Sequence, residues 1–169
     1  AETHRLSMAR DPYVRRDIGR MLGVLRGRRA AIEKEIASHI SSHKALADDA
    51  SRLRTAPGVG PTIAAILLAR LPELGQLDRR EIASLAGLAP HACDSGLRRG
   101  RRHVWGGRAD VRRALYLAAF VASRRNPVLK AARERMQAAG KPAKVAILAL
   151  ARKLLTMLNA MIRDQRDFA

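Results

Sequence analysis

Apolar residues in this chain recur at intervals of three, four and seven positions, and no stretch alternates apolar and polar residues convincingly. Such spacing is typical of helices that bury one face, whereas strands require a period of two. Alanine, leucine and arginine are abundant and aromatic residues make up only 3% of the chain, which also favours helix. The sequence therefore predicts an all-α fold.

The longest helical pattern follows Asp11-Pro12, where a narrow apolar stripe of near-heptad period lies between heavily charged faces. The stripe consists of Val14, Ile18, Met21 or Leu22, Leu25, Ile32, Ile36 and Ile40. Because so narrow a stripe cannot form a core alone, it predicts packing on a partner helix. That helix belongs either to the same chain or to a second copy in a coiled-coil-like pair.

Local signals define the later helices. Asp78 and Glu81 have the spacing of a capping box, and Gly87 is placed to end the helix that they begin. Asn126-Pro127 predicts the start of another helix, which Gly140 ends.

Two of these later helices have a clear buried face in the sequence pattern. In the first, the inward residues are Val111, Leu115, Ala118 or Ala119, and Ala122. In the C-terminal helix they are Val145, Leu148, Leu155, Leu158 and Ile162.

The net charge is +18 over 169 residues, with a pI near 11.6. Such an excess indicates a polyanionic partner, most often nucleic acid, with an acidic membrane surface as the rival. The longest uninterrupted apolar run, residues 114–122, is shorter than the roughly 20 residues that span a bilayer. The N-terminal residues have no secretory apolar region, and a lone Cys93 suits a reducing cytoplasm. Cys93, His91 and His103 are too few for a structural zinc site, so we expect no metal in this chain.

The segment Pro57-Gly58-Val59-Gly60-Pro61 predicts a tight turn before an apolar helix that begins near Thr62. This is similar to the hairpin of a helix-hairpin-helix element. Gly58 and Gly60 would let a phosphate approach the backbone, and the N-terminus of the next helix would favour the anion. The simpler interpretation is a turn between two core helices.

Seven arginines and one acid, Asp110, lie between residues 98 and 113, giving this segment a charge of +6. The planar guanidinium binds phosphate oxygens in pairs, so we predict nucleic-acid contact by these arginines. They are Arg98, Arg99, Arg101, Arg102, Arg108, Arg112 and Arg113. Trp105 could stack on a base, but we expect it in the core, and residues 96–105 could form a small hairpin.

Ser95-Gly96 lies immediately before these arginines. A serine hydroxyl attacks a phosphodiester only if a base removes its proton and cations stabilise the charged transition state. The neighbouring arginines could supply the charge, while Asp94 and His91 are the nearest candidate bases and neither is compelling. Because Ser-Gly steps are common in loops, these residues alone leave both a catalytic and a purely structural role open.

Five features then occur in order: APGVGPTIAAILLARL, LAGLAP, Ser95-Gly96 before the arginines, RRALYLAAFVASRRNPVLK and GKPAKVAILALARKLL. Together they resemble the C-terminal half of the IS-one-ten family of insertion-sequence transposases, which also includes site-specific DNA invertases of the Piv type. The resemblance covers roughly residues 52–165. RRDIGRMLGVLRGRRAAIEKEI is similar to the helical linker that precedes this region in the family.

The resemblance implies a DNA recombinase that acts in transposition. Complete family members have an N-terminal RuvC-like domain with four acidic residues that bind a divalent metal, usually Mg²⁺. Their C-terminal domain carries a serine that corresponds to Ser95, which would attack a DNA phosphate and form a covalent phosphoserine link. Known members are directed by a structured bridge RNA. The implied partners are therefore DNA, this guide RNA and further copies of the chain, in the cytoplasm and at the nucleoid of a bacterium.

One departure from the family pattern is large, because no acidic tetrad precedes Glu33. We therefore expect a fragment that is inactive or nearly so without its metal domain. In it, residues 1–51 form a helical linker and residues 52–169 form the transposase C-terminal domain with the hairpin and a basic catalytic loop. Asp94 replaces a small polar residue of many relatives but does not displace Ser95. The alternative is a non-catalytic helix-hairpin-helix module that only binds DNA or RNA.

Overall fold

The computed structural model describes residues 2–91 and 103–168, which are mainly helical, as the spacing of apolar residues predicted. Contacts divide the chain into two units between Ser42 and His43. Each unit has its own internal packing and is described in turn.

The first unit contains α1 (Glu2–Met8) and α2 (Pro12–Ser42). Asp11 begins α2, because its Oδ1 accepts hydrogen bonds from the backbone N–H groups of Tyr13 and Val14 at 2.8 and 3.0 Å. Pro12 follows at a position where its missing N–H has no cost. The long helix predicted after Asp11-Pro12 is therefore confirmed.

The apolar stripe of α2 is mostly exposed. Ile18 and Leu22 are buried near the end that packs with α1. The other large residues remain accessible, namely Val14, Met21, Leu25, Ile32 and Ile36. A coiled-coil pairing along this stripe stays a prediction.

The second unit is built from helices and one short ladder in the part of the chain that the structure describes. The helices are α3 (Lys44–Thr55), α4 (Pro61–Arg70), α5 (Arg79–Leu85), α6 (Ala109–Arg125), α7 (Pro127–Ala138) and α8 (Ala143–Arg163). The strands are β1 (Pro90–His91) and β2 (His103–Val104), which pair antiparallel. The domain boundary expected after residue 51 lies inside α3, because α3 packs on α4 and α8 and so joins the second unit as a whole.

Helix α8 is the centre of this unit and packs against α3, α5, α6 and α7. Leu155, Leu158 and Ile162 are buried as predicted, but Val145 is 48% exposed and Leu148 is only partly buried. The prediction was wrong for Val145, because at that end of α8 the buried face contains Ala146 and Ile147 and turns Val145 toward solvent. The buried face also includes Leu150, Ala151 and Leu154.

The predicted helix ends are confirmed. Asp78 and Glu81 form a complete capping box at the start of α5, and Gly87 follows its end with a φ of 65°. The Asn126 side chain accepts a hydrogen bond from the Leu129 N–H at 3.1 Å at the start of α7. Gly140, with a φ of 82°, follows the end of α7. The inward residues predicted for α6 are all buried.

Among the described residues, α8 is the one helix long and apolar enough to cross a membrane. More than half of its apolar stretch is buried within the unit. It therefore serves as the core helix here, as its contacts with four other helices require.

Gly58 joins α3 to α4 at a point of close contact with α6. Its φ of 81° lies in the left-handed region that favours glycine. A β-carbon at this position would collide with the carbonyl oxygen of Ala118 and lie 3.1 Å from the backbone nitrogen of Ala122. Gly60, by contrast, has a φ of −92° and open space where a β-carbon would be.

We expect Gly58→Ala to lower the free energy of unfolding by about 1–3 kcal/mol, because it adds both backbone strain and overpacking. Gly60→Ala is the matched control and should change the free energy by less than about 0.5 kcal/mol. Urea unfolding followed by circular dichroism measures both values. Equal effects of the two substitutions would contradict the packing assigned to Gly58.

Candidate nucleic-acid interface at the base of the serine loop

Residues 92–102, here called the serine loop, lie in the chain between the paired strands β1 and β2. Pro90 is opposite Val104 and His91 is opposite His103, so the two ends of the loop lie side by side. Ser95 and the arginines Arg98, Arg99, Arg101 and Arg102 lie outside the described residues. The predicted hairpin over residues 96–105 also falls mostly outside them. What the structure describes is the base on which this loop stands.

Two backbone segments that contain glycine cross at that base. Gly87, after α5, lies against Gly106 and Gly107, which follow β2, and all three have positive φ. A β-carbon on Gly87 or Gly107 would collide with the backbone of the other segment. Arg112 closes this crossing, because its guanidinium donates to the carbonyl oxygens of Gly106 and Gly87. Arg112, predicted to bind nucleic acid, thus makes contacts within the protein.

Arg108 makes a bidentate ion pair at the base. Its two terminal nitrogens donate to the two carboxylate oxygens of Glu73 at 2.6 and 2.8 Å, and one of them also donates to the carbonyl of Arg70 at 3.0 Å. The Arg108 backbone N–H donates to the carbonyl of Leu85 at 2.9 Å. A bidentate pair of this kind fixes orientation as well as distance.

A buried asparagine holds the turn that carries Glu73. Asn159 of α8 is 3% exposed, and its Oδ1 accepts from the Gly75 N–H at 2.8 Å. Its Nδ2 donates to the carbonyl of Leu77, also at 2.8 Å. The base of the serine loop is therefore connected through Glu73 and Asn159 to the core helix.

A second ion pair joins the same elements. The Arg70 side chain, at the end of α4, donates through Nε to Oδ2 of Asp110 at the start of α6. Asp110 Oδ1 also accepts from the Val111 N–H at 2.9 Å, and the N-terminus of α6 favours its negative charge.

The two carboxylates are therefore stabilised in their charged form. The hydrogen bonds from Arg108 lower the pKa of Glu73 to about 2. The hydrogen bond from Arg70 lowers the pKa of Asp110 below its usual value. Both ion pairs consequently remain formed throughout the neutral and mildly acidic range.

Arg113, a predicted contact residue, and Trp105 both lie on the surface near this base. Arg113 is exposed on α6, with a hydrogen bond from its Nε to the Ala109 carbonyl at 3.3 Å. Trp105 is 63% exposed, so the expectation that it fills the core was wrong. It follows β2 directly and precedes the Gly106-Gly107 crossing, which keeps it at the surface beside the basic segment.

The glycine turn between α3 and α4 has different roles at its two glycines. Gly58 is used in packing on α6, whereas Gly60 precedes Pro61 at the N-terminus of α4, where the backbone is open. The first N–H groups of a helix have no acceptor within it, so this terminus suits an anion. Phosphate binding at Gly58 and Gly60 stays a prediction.

Sequence reasoning missed Glu73, Arg70 and Asn159. They lie in elements far along the chain from their partners, and no local pattern marks a carboxylate that pairs with an arginine in another helix. Within the described ranges, no group of three or more His, Cys, Asp or Glu side chains is arranged to hold a metal ion. Cys93 lies outside those ranges.

Comparison with known proteins identifies the class. Residues 50–143 match the sequence model of the Transposase IS116/IS110/IS902 family, which spans the α3–α4 turn, the base of the serine loop and α6. The chain belongs to this family of insertion-element transposases.

Several curated proteins are similar to this chain. It is 33% identical over 138 residues to an insertion element IS110 uncharacterized 43.6 kDa protein of Streptomyces coelicolor, covering 80% of this chain and 33% of that protein. It is 36% identical over 123 residues to the pilin gene-inverting protein of Moraxella bovis, covering 70% and 38%. It is 38% identical over 117 residues to an insertion element IS900 uncharacterized 42 kDa protein of Mycobacterium paratuberculosis, covering 64% and 28%. The chain thus spans about a third of the length of these relatives.

We expect Glu73→Gln to lower the melting temperature at neutral pH, because it removes the charge that pairs with Arg108. The pKa of Glu73 is lower in the folded protein than its ordinary 4.5, so its stabilising effect is complete above pH 4.5. That effect is lost as the pH falls from 4.5 to about 2, and the melting temperatures of the two proteins should converge there.

Glu134→Gln on the exposed surface of α7 is the control, and it should leave the melting temperature unchanged at every pH. Calorimetry between pH 2 and 7 makes the measurement. A Glu73→Gln difference that did not vary with pH would contradict the ion pair.

Proposed function

We propose that this chain is the serine-bearing domain of a DNA recombinase that acts in transposition, with Ser95 as its nucleophile. The observation that carries the proposal is the family match over residues 50–143, because that span includes Ser95 and the seven arginines of residues 98–113. The relatives include a pilin gene-inverting protein, whose name describes rearrangement of DNA. This chain covers about a third of the length of these relatives, so the activity of the whole protein is part of the proposal.

The base of the serine loop supports this role. A nucleophile must be held in a fixed position relative to the phosphate that it attacks, because misplacement by about 1 Å can cost a hundredfold in rate. The glycine crossing, the Arg108–Glu73 pair and the β1–β2 ladder fix both ends of the loop against the core.

In the proposed reaction the Ser95 Oγ attacks the phosphorus of a DNA phosphodiester. An O–P bond to serine forms and the P–O bond to one sugar breaks. The departing sugar oxygen keeps the electron pair and takes up a proton, which makes it a hydroxyl. The serine proton passes to a base, for which the sequence offers Asp94 and His91. Arg98, Arg99, Arg101 and Arg102 would stabilise the added negative charge on the phosphate oxygens.

The proposed partners are the DNA substrate and, as the family resemblance implies, a structured guide RNA. The charge of +18 supports binding of polyanions such as these. Gly60 and the N-terminus of α4 are proposed to bind a backbone phosphate, and Arg113 of α6 is a separate exposed cation. Such a protein would act in the bacterial cytoplasm at the nucleoid.

The family resemblance also implies Mg²⁺ bound by four acidic residues of a RuvC-like domain. The described residues of this chain contain no cluster of acidic side chains that fits such a site. We therefore assign no step of the reaction to a metal held by this chain.

We expect Ser95→Ala in the full-length recombinase to abolish strand exchange, by more than about a thousandfold, because no other group replaces the nucleophile. DNA affinity should change less than threefold, since the arginines remain. Denaturing electrophoresis of labelled DNA detects the covalent protein–DNA adduct, which should be absent from this variant.

Ser84→Ala, on the exposed surface of α5, is the matched control and should retain the adduct. An adduct that persists in Ser95→Ala would reject Ser95 as the nucleophile. Failure of the unaltered full-length protein to form any adduct would instead favour the non-catalytic binding module.

We further propose that α2 joins copies of the chain. Its exposed Leu25 and Ile32 are seven residues apart and so lie on one side of the helix. A second copy presenting the same stripe is the simplest occupant, because it would bury both stripes at once.

We expect Ile32→Lys to convert the assembled protein to monomer, whereas Ala30→Lys on the opposite side of α2 should not. Sedimentation equilibrium reports the mass over a range of concentrations. An unaltered protein that is monomeric throughout, or equal effects of both substitutions, would contradict pairing through this stripe.

A further inference from the structure

A cluster of basic side chains lines an open groove of about 520 Å³ between α5 and α8. Four cationic side chains line it, Arg79 and Arg80 from α5 and Arg152 and Lys153 from α8. Thr156 adds a hydroxyl and Met157 an apolar wall. No carboxylate is among the lining residues.

The four cations are available to a ligand. None of them forms an ion pair with another side chain in residues 2–91 or 103–168. The nearest acids along the chain, Asp78 and Glu81, use their carboxylates to cap the backbone at the start of α5. Asp78 attracts Arg79 and Arg80 electrostatically. It forms no ion pair with either, so the four like charges still favour an anion that enters the groove.

We propose that this groove binds the sugar-phosphate backbone of a nucleic acid. Three guanidinium groups offer paired donors to phosphate oxygens, and the ammonium of Lys153 adds a further charge. The volume exceeds that of a single phosphate and suits a segment of backbone. The concave shape favours a strand over a flat lipid surface.

The position of the groove relative to the serine loop strengthens the assignment. Helix α5 begins at Arg79 in the groove and ends just before Gly87 at the base of the loop. Its seven residues span about 10 Å at 1.5 Å per residue. That distance corresponds to about three nucleotides at 3.4 Å per nucleotide of one strand. One continuous strand can therefore contact both places.

The inference rests on the proposed function only for the identity of the anion as a nucleic acid. Its geometry is independent of Ser95, so the groove can bind nucleic acid even if Ser95 is not a nucleophile. Failure of the proposed function is measured as the absence of a covalent adduct, whereas failure of the groove assignment is measured as an unchanged affinity for nucleic acid.

The test compares Arg152→Gln/Lys153→Gln with Lys130→Gln/Arg135→Gln, which removes the same charge from the exposed surface of α7. Fluorescence anisotropy measures binding of a labelled 20-base-pair DNA duplex and of an RNA stem-loop at several salt concentrations. We expect the groove variant to bind at least one of them about tenfold more weakly, with the salt dependence reduced by about two phosphate contacts. The α7 variant should change affinity less than threefold.

The ligand that loses affinity identifies the source of the backbone, DNA or RNA. Equal losses in both variants on both ligands would show a net-charge effect and overturn the groove. Binding to vesicles of anionic lipid is measured in parallel by co-sedimentation, and a loss confined to the vesicles would overturn it as well. As a second readout, bound nucleic acid should protect Lys153 from acetylation and leave Lys130 reactive, and equal reactivity of the two lysines would also overturn it. Thermal unfolding of each variant confirms that it is folded.

Discussion

The bidentate pair between Arg108 and Glu73 is the interaction on which the arrangement at the candidate site depends. It joins the base of the serine loop to the turn after α4, and Asn159 joins that turn to the core helix. The Oδ1 and Nδ2 atoms of Asn159 both form hydrogen bonds to the backbone, so burial of this side chain has little cost. The core of the second unit thereby determines where the ends of the loop lie, and the Arg70–Asp110 pair adds a parallel connection.

This arrangement divides the arginines of the basic segment by role. Arg108 and Arg112 use their donors on a carboxylate and on backbone carbonyls, whereas Arg113 stays exposed. Arg108 still contributes long-range potential, but its guanidinium is already paired and would have to give up Glu73 to bind a phosphate directly. The number of arginines in a segment therefore indicates how strongly the segment attracts a polyanion, but not how many of them contact it.

The sequence predicted those parts of the fold that local interactions determine. The capping box at Asp78 and Glu81 and the Asn126-Pro127 start were recognisable because each involves residues within three positions of one another. The exposure of Val145 and Trp105 was not, because it depends on which neighbouring elements cover each residue. The same limit applies to Glu73, whose partner is 35 residues away. Gly58 was predicted to contact a phosphate, but it also has to be a glycine because it packs against α6. That packing depends on where α6 lies, which no local sequence pattern shows.

Helix α5 connects the proposed groove to the base of the serine loop, and its short length bears on the proposed function. The capping box fixes its first turn, with Arg79 and Arg80, while the glycine crossing fixes the chain just beyond its last turn. A helix held at both ends transmits position between them, because it cannot change length without breaking its backbone hydrogen bonds. A strand bound in the proposed groove would therefore reach the base of the serine loop at a fixed distance along α5. Binding energy gained at phosphates that do not react would in this way help to orient the phosphate that does.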